Sequence, residues 1–330
     1  MMNELSNTEM RYGFYDRLTE EFPSQLLIDV AEFCNLACIH CPHSEFKKSK
    51  HYSGAKLDPE LNSKLVDEVK EYGKGFTQYI RYASNGEPLI HPKIYEMLKY
   101  AVNHSGTKVT LTTNGTLLTG NKVEKLLDTG VNVIDVSIDA FSKDTYSKVR
   151  VNGNLDITAA NVVNLIKAVK DNRLKSKVVV SYVELPENMH ETDNFEKYWK
   201  DQGADYVVIR RLHSCSGAKI ELAQERRNDN NNIERRPCLY PWERIVLSPK
   251  GWLGFCPSDW VDGSHIIEYK NITIREVWSG EFYTKLRQAH LANNYSMHKF
   301  CSQCPDWAAT RWPNEGRSYA NMIDEFTETV

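Results

Sequence analysis

Glu32-Phe33-Cys34-Asn35-Leu36-Ala37-Cys38-Ile39-His40-Cys41-Pro42-His43 is the stretch around which the rest of the chain can be read. Its three cysteines stand in the spacing C-x3-C-x2-C, just after the apolar run Leu26-Leu27-Ile28-Asp29-Val30. Three thiolates on one short loop can hold three irons of a cubane cluster and leave the fourth iron without a protein ligand. A four-cysteine electron-transfer cluster closes every iron; an open iron can bind a substrate or cofactor directly. Short cysteine clusters also bind zinc, and unrelated buried thiols are the bland alternative. An aromatic ring, His40, stands just before the last cysteine.

The chain has 330 residues, enough for one large α/β domain and a small one. Its formal charge of −3 gives no basic field for nucleic acid. The first 25 residues are polar and charged, without the apolar core of a signal peptide, and no apolar run reaches the length of a membrane span. Eight cysteines in such a chain fit reduced, cytosolic metal ligands better than a secreted disulfide framework. A cytoplasmic protein is therefore expected. The polar, Asn-rich stretch Gln224 to Arg236 is expected to be a linker or mobile loop.

Short Val- and Ile-rich runs predict strands at Leu26–Phe33, Gln78–Ala83, Lys108–Thr112, Val133–Ile138, Lys177–Val183 and Tyr206–Arg210. Amphipathic helices are predicted between them near Pro59–Tyr72, His91–Asn103, Asn121–Asp128, Ile157–Asp171 and Asn194–Gln202. Six β–α units need about 180 residues at roughly 30 each, whereas a closed eight-unit barrel needs about 250. Leu26 to Cys215 matches six, so the expected fold is α/β, a partial (β/α)6 TIM-like barrel. In such barrels the chemistry sits at the C-terminal ends of the strands. The second strand is followed by Asn85-Gly86-Glu87-Pro88 and the third by Thr113-Asn114-Gly115. The fourth leads into Ser137-Ile138-Asp139-Ala140, Tyr146 and Arg150. Each alone reads as a turn, a cap or a surface charge.

In this order, behind this cysteine loop, the motifs resemble those of the radical S-adenosylmethionine (SAM) enzymes. The resemblance implies a [4Fe-4S] cluster on Cys34, Cys38 and Cys41 whose open iron chelates SAM, and reductive cleavage to a 5′-deoxyadenosyl radical. It implies cofactor contacts at His40, at Asn85, Gly86, Glu87 and Pro88 (in place of Gly-Gly-Glu-Pro), and at Asn114. Ser137 would meet the ribose. Arg150 would fork onto the carboxylate. Asn85 departs from the family's first Gly, though Asn also tolerates unusual backbone angles. Glu184 at the end of the fifth strand, and Arg211, His213 and Cys215 at the end of the sixth, should line the substrate side. Solvated loop residues are the alternative for the first three.

A second cysteine set, Cys238, Cys256, Cys301 and Cys304, follows the Asn-rich stretch. Two hydrophobic runs flank Pro249-Lys250-Gly251, which predicts a β-hairpin. The pattern resembles the SPASM domain, in the shorter "twitch" form, and its spacing is similar to that of the 2-deoxy-scyllo-inosamine dehydrogenases, radical SAM enzymes that oxidise an aminocyclitol alcohol. The implied group is an auxiliary [4Fe-4S] cluster closed by four cysteines; a four-cysteine zinc site also suits this layout. The expected division is an N-terminal extension over 1–24, the barrel over 25–217, a linker over 218–236, the auxiliary domain over 237–310 and a tail over 311–330.

The expected function is hydrogen abstraction from a small polar substrate: a sugar, aminocyclitol or nucleotide sugar. Loss of the substrate radical's electron to the auxiliary cluster gives alcohol oxidation. Hydrogen return from a thiol gives epimerisation, and Cys215, the one cysteine outside both sets, is the candidate donor. A buried small hydrophobe is its alternative. The 24 residues before the first strand are too few for a peptide-binding domain. A peptide-modifying enzyme and a non-catalytic zinc or iron–sulfur module stay open. A flavodoxin- or ferredoxin-type electron donor is implied, with no nucleic-acid or membrane partner.

Overall fold

Alternation along each strand decides what faces the lumen and what faces the helices. The computed structural model describes residues 12–83, 85–219, 221 and 234–328; most of the Asn-rich stretch lies outside them. The first half is six strands with helices between: β1 (Gln25–Ile28), β2 (Tyr79–Tyr82), β3 (Lys108–Thr113), β4 (Val133–Ser137), β5 (Lys177–Glu184) and β6 (Tyr206–Arg211). The helices are α1 (His43–Phe46), α2 (Pro59–Tyr72), α3 (Ile94–His104), α4 (Lys122–Leu127), α5 (Lys143–Val149), α6 (Leu155–Asp171) and α7 (Thr192–Gln202). Caps set the helix starts: Asp58 accepts Glu60 N–H ahead of Pro59, and Asn154 accepts Ile157 N–H. Ile80, Tyr82, Val109, Leu111, Ile134, Val136, Val178 and Val180 pack outward against the helices as one core. Their neighbours Arg81, Thr112, Asp135 and Ser181 therefore point into the lumen.

The sheet runs β6-β5-β4-β3-β2-β1 with every pair parallel, as the six-unit reading requires. It does not stop at β1. The run after the first auxiliary cysteine forms β7 (Arg244–Leu247), which pairs in parallel with β1 from Gln25↔Arg244 to Ile28↔Leu247. β8 (Trp252–Gly254) and β9 (His265–Glu268) follow antiparallel, giving nine strands in one sheet. The hairpin expected around Pro249-Lys250-Gly251 is present, with Gly251 at φ +81°. The edge that β1 would otherwise leave open is thus covered by the auxiliary region.

One expectation needs correction. The first strand ends at Ile28, not Phe33, because the chain changes partner: Leu57 N–H donates to Val30 and Glu32 N–H to Ala55. Of the N-terminal extension, residues 12–24 are docked, with Leu18 and Phe22 buried and Tyr12 and Tyr15 against Trp312. The expected C-terminal tail is also packed. Trp312 is fully buried, and the helix Tyr319–Glu328 closes the base of the barrel, with Ala320, Met322 and Ile323 against Tyr79, Val133 and Val179. Just above this plug, Asp135 is fully buried and pairs with Arg210 at 2.7 Å and Arg81 at 3.6 Å; the Tyr319 ring lies 4.6 Å from Arg81. Among the described residues, no helix is long and apolar enough to cross a membrane.

Candidate active site

The cysteine loop is pinned to the strand ends on both sides. Glu87 N–H donates to Phe33 O at 2.6 Å, and a Cβ on Gly86 would overlap the carbonyl oxygens of Phe33 and Ala31. Gly86 is therefore required by close backbone approach, with Asn85 preceding it on the Asp29 carboxylate and the Asp259 carbonyl. The Glu87 carboxylate is buried and receives Leu89 N–H, Thr113 Oγ1 at 2.6 Å and Asn114 N–H at 2.8 Å. Burial raises its pKa, opposed by these hydrogen bonds. Asn114 Nδ2 donates to Asn35 Oδ1 at 3.0 Å, so the third strand end holds the loop between Cys34 and Cys38. Ala37 and Ile39 N–H bond to Val151 and Val149.

Cys34, Cys38 and Cys41 are all free thiols; the charge of Cys38 raises the pKa of Cys34 and of Cys41. Burial is the largest cause of the upward shift in each and carries Cys34 to about 11. Desolvation would keep these sulfurs protonated, so a polycationic iron core is the kind of partner that would hold them as thiolates. Arg150 hydrogen-bonds Cys38 and is clamped by the fully buried Asp139. Asp139 stands at φ +61°, with its other oxygen accepting Val183 N–H at 2.7 Å. His40 Nε2 lies 3.5 Å from Asp139, and its Nδ1 is buried without a hydrogen-bond partner among the described residues. Burial lowers the His40 pKa to about 4, against the pull of Asp139, and keeps the ring neutral. Ser137 is half-buried at the end of β4. Asp29, Asp135 and Asp139 were not singled out as site residues from the sequence; the strand-end position of Asp139 was the available signal.

Of the substrate-side residues, Glu184 ends β5 and accepts Thr192 Oγ1 at 3.2 Å, and Arg211 is exposed at the end of β6. His213 is half-buried. Cys215 is brought toward both cysteine sets. Its charge is felt by Cys41, and the next residue, Ser216, places Oγ 3.5 Å from Cys256 Sγ. Cys215 and Ser216 both have positive φ, +51° and +57°. This conformation is disfavoured for residues with a side chain, and Asp306 secures it: its two oxygens receive Ser214 N–H at 2.9 Å and Ser216 N–H at 2.8 Å. Asp306 lies two residues past Cys304, and nothing along the chain marks its link to the Cys215 turn.

Cys238, Cys256, Cys301 and Cys304 line one cavity with about 440 Å³ of empty space, together with Tyr240, His290 and Phe300. Burial raises the thiols, Cys238 and Cys301 to about 12. Four cysteines lining one apolar pocket suit a closed iron–sulfur cluster. A second cavity, about 730 Å³, lies along the lumen side of β1, β2 and β7, bounded by Asp29, Asn85, Ser248, Ser264 and His265, with Cys256 on its wall.

Comparison with known proteins agrees with this architecture. Residues 28–198 match the model of the radical SAM superfamily, and 238–305 match that of an iron–sulfur cluster-binding domain, SPASM. The chain belongs to the radical SAM superfamily. Its cofactors are accordingly SAM and [4Fe-4S] clusters. It is 34% identical over 147 residues to the AdoMet-dependent heme synthase of Methanosarcina barkeri, covering 44% of this chain and 40% of that one. It is 26% identical over 277 residues to the tungsten-containing aldehyde ferredoxin oxidoreductase cofactor-modifying protein of Pyrococcus furiosus, covering 82% and 73%. Among solved structures it resembles BtrN in complex with AdoMet and 2-DOIA (TM-score 0.58, 17% identity, 90% of this chain and 98% of that one). It also resembles Streptococcus suis SuiB bound to its precursor peptide SuiA (TM-score 0.64, 15% identity, 92% and 73%). These likenesses show the radical SAM partial barrel carrying a C-terminal region with antiparallel strands.

Proposed function

We propose that this radical SAM enzyme acts on a small polar, carbohydrate-like molecule and inverts one of its carbon centres. The SAM-loaded cluster on Cys34, Cys38 and Cys41 would supply the 5′-deoxyadenosyl radical that takes hydrogen from the substrate carbon. His40, Asn85, Gly86, Glu87, Pro88, Asn114, Ser137 and Arg150 are assigned to holding SAM. The observation that carries the reading is the turn that bears Cys215: Asp306 holds it at Ser214 and Ser216, Ser216 meets Cys256, and the Cys215 charge is felt by Cys41. Cys215 Sγ–H gives its hydrogen atom to the opposite face of the substrate radical. The thiyl left on Cys215 then needs one electron and one proton. An electron from the auxiliary set, Cys238, Cys256, Cys301 and Cys304, has the contact between Ser216 and Cys256 as its route.

The polar groups on the wall of the cavity along β1, β2 and β7, Asp29, Asn85, Ser248, Ser264 and His265, support a small polar substrate. The runner-up, alcohol oxidation, is favoured by Cys256 forming part of that wall. There the substrate radical loses its electron to the auxiliary set and its hydroxyl proton to a base, with Glu184 and His213 the candidates and Arg211 positioning. We infer a cytoplasmic setting from the reduced thiols, a flavodoxin- or ferredoxin-type donor, and the domain division 25–217 and 237–310.

The test is anaerobic turnover in D2O with a panel of amino sugars, aminocyclitols and nucleotide sugars. The expected product carries one solvent deuterium at an inverted carbon. Cys215→Ala should still form 5′-deoxyadenosine and yield no inverted product. Full product from Cys215→Ala rejects epimerisation, and oxidised product from both chains establishes the runner-up. A peptide role would appear as turnover of peptides alone. Absence of 5′-deoxyadenosine from the unaltered chain would leave a non-catalytic module.

A further inference from the structure

His290 lies on the helix Glu281–Leu291, is 2% exposed, and shares the cavity of the four auxiliary cysteines. Its Nδ1 receives the backbone N–H of Cys238 at 3.2 Å and faces the Tyr295 hydroxyl at 3.3 Å. A backbone N–H can only donate, so Nδ1 is the nitrogen without a proton. The imidazole proton is then on Nε2. That atom is buried and has no hydrogen-bond partner among the described residues. An orphaned buried N–H is rare in folded proteins because losing water without gaining an acceptor is costly. The ring is not free to turn away: Tyr295 stands against it at 4.9 Å and Trp242 at 6.1 Å, each nearly perpendicular.

We propose that His290 Nε2–H donates a hydrogen bond to a sulfur of the auxiliary iron–sulfur cluster and raises its reduction potential. The physical reason is charge: one-electron reduction adds negative charge to the cluster, and a donor aimed at a sulfur stabilises the reduced state more than the oxidised one. His290 is a positioning and tuning residue in this account. The same ring orders Cys238 through Nδ1 and leaves Nε2 free for the bound group. The inference rests on the reading of Cys238, Cys256, Cys301 and Cys304 as the cluster's ligands. The acceptor that competes for the proton is the Trp242 indole face.

The experiment uses the full chain carrying Cys34→Ala, Cys38→Ala and Cys41→Ala, so that only the auxiliary set can hold iron. Failure of this chain to take up a cluster on anaerobic reconstitution rejects the four-cysteine reading itself. With the cluster loaded, an EPR-monitored redox titration compares His290→Phe and His290→Gln with the parent. His290→Phe should disfavour reduction about tenfold, or about 59 mV for one electron. His290→Gln, which keeps an N–H donor, should recover most of that loss. An unchanged midpoint in His290→Phe overturns the proposal and leaves the ligand assignment standing. Should His290→Phe load no iron, pulsed EPR on the parent decides: an exchangeable proton coupling, lost in D2O and accompanied by coupling to 15N-labelled histidine, is expected. Its absence assigns the N–H to the Trp242 ring and overturns the proposal.

Discussion

The two cysteine sets reach their sites by opposite routes. Cys34, Cys38 and Cys41 lie within eight residues on one loop. Backbone and side-chain bonds from neighbouring strand ends fix the shape of that loop. Cys238, Cys256, Cys301 and Cys304 span 67 residues and come from the segment before the short helix Tyr240–Glu243, the loop after β8 and a short helix, Lys299–Ser302, with the loop after it. The first is a local site borrowed by the fold, and the second exists only once several elements have docked. A local site tolerates distant damage. An assembled one reports on the packing of everything between its ligands.

The sharpest way to break the comparison is to remove one cysteine from each set. Cys38→Ala should bring 5′-deoxyadenosine formation to background, measured by chromatography, and lower bound iron by about four per chain. Cys256→Ala should also lose about four irons per chain, yet keep cleaving SAM while yielding no product. Equal loss of SAM cleavage in both would erase the distinction. Next comes Asp139→Asn, which weakens the buried grip on Arg150. By analogy with groups that orient ligands, it should raise the Kd for SAM by roughly 10- to 100-fold, with iron content unchanged.

Asp306→Ala probes the bridge between the two regions. It strands the Ser214 and Ser216 N–H groups at a cost of about 1–3 kcal/mol, which thermal unfolding would read as a lowered Tm. Asp306→Asn keeps one acceptor and should lose less. The smallest effect belongs to the floor of the barrel. Tyr319→Leu removes the cation–π contact over Arg81 and should cost about 1 kcal/mol, leaving both iron counts intact. A change in iron content there would mean that the base of the barrel is coupled to the sites at its mouth.

The difference between the two sets is also the difference in legibility. The barrel was readable because buried parallel strands announce themselves as Val- and Ile-rich runs, and α2 appears over Pro59–Tyr72, as its caps and periodicity predict. The cysteine loop and the strand-end motifs are contiguous in the chain, so spacing alone brings their residues into view. The parallel pairing of β7 with β1 was not legible, because it joins residues more than 200 positions apart and nothing in either run names its partner. For the same reason nothing near Asp306 or His290 in the chain marks either residue.

By itself, the sequence determined the alternating β–α framework, the three-thiolate loop, the order of motifs behind it and the existence of a second thiol set. These are properties of neighbours along the chain, where periodicity and spacing act directly. Only the tertiary structure decided that one sheet carries both regions, that Asp139 grips Arg150, that Asp306 holds the Cys215 turn in a left-handed conformation, and that His290 shares a cavity with the second cysteine set. Those outcomes depend on which buried polar groups find partners after collapse. Long-range packing makes that choice, because every buried donor must be satisfied wherever the fold happens to bring it.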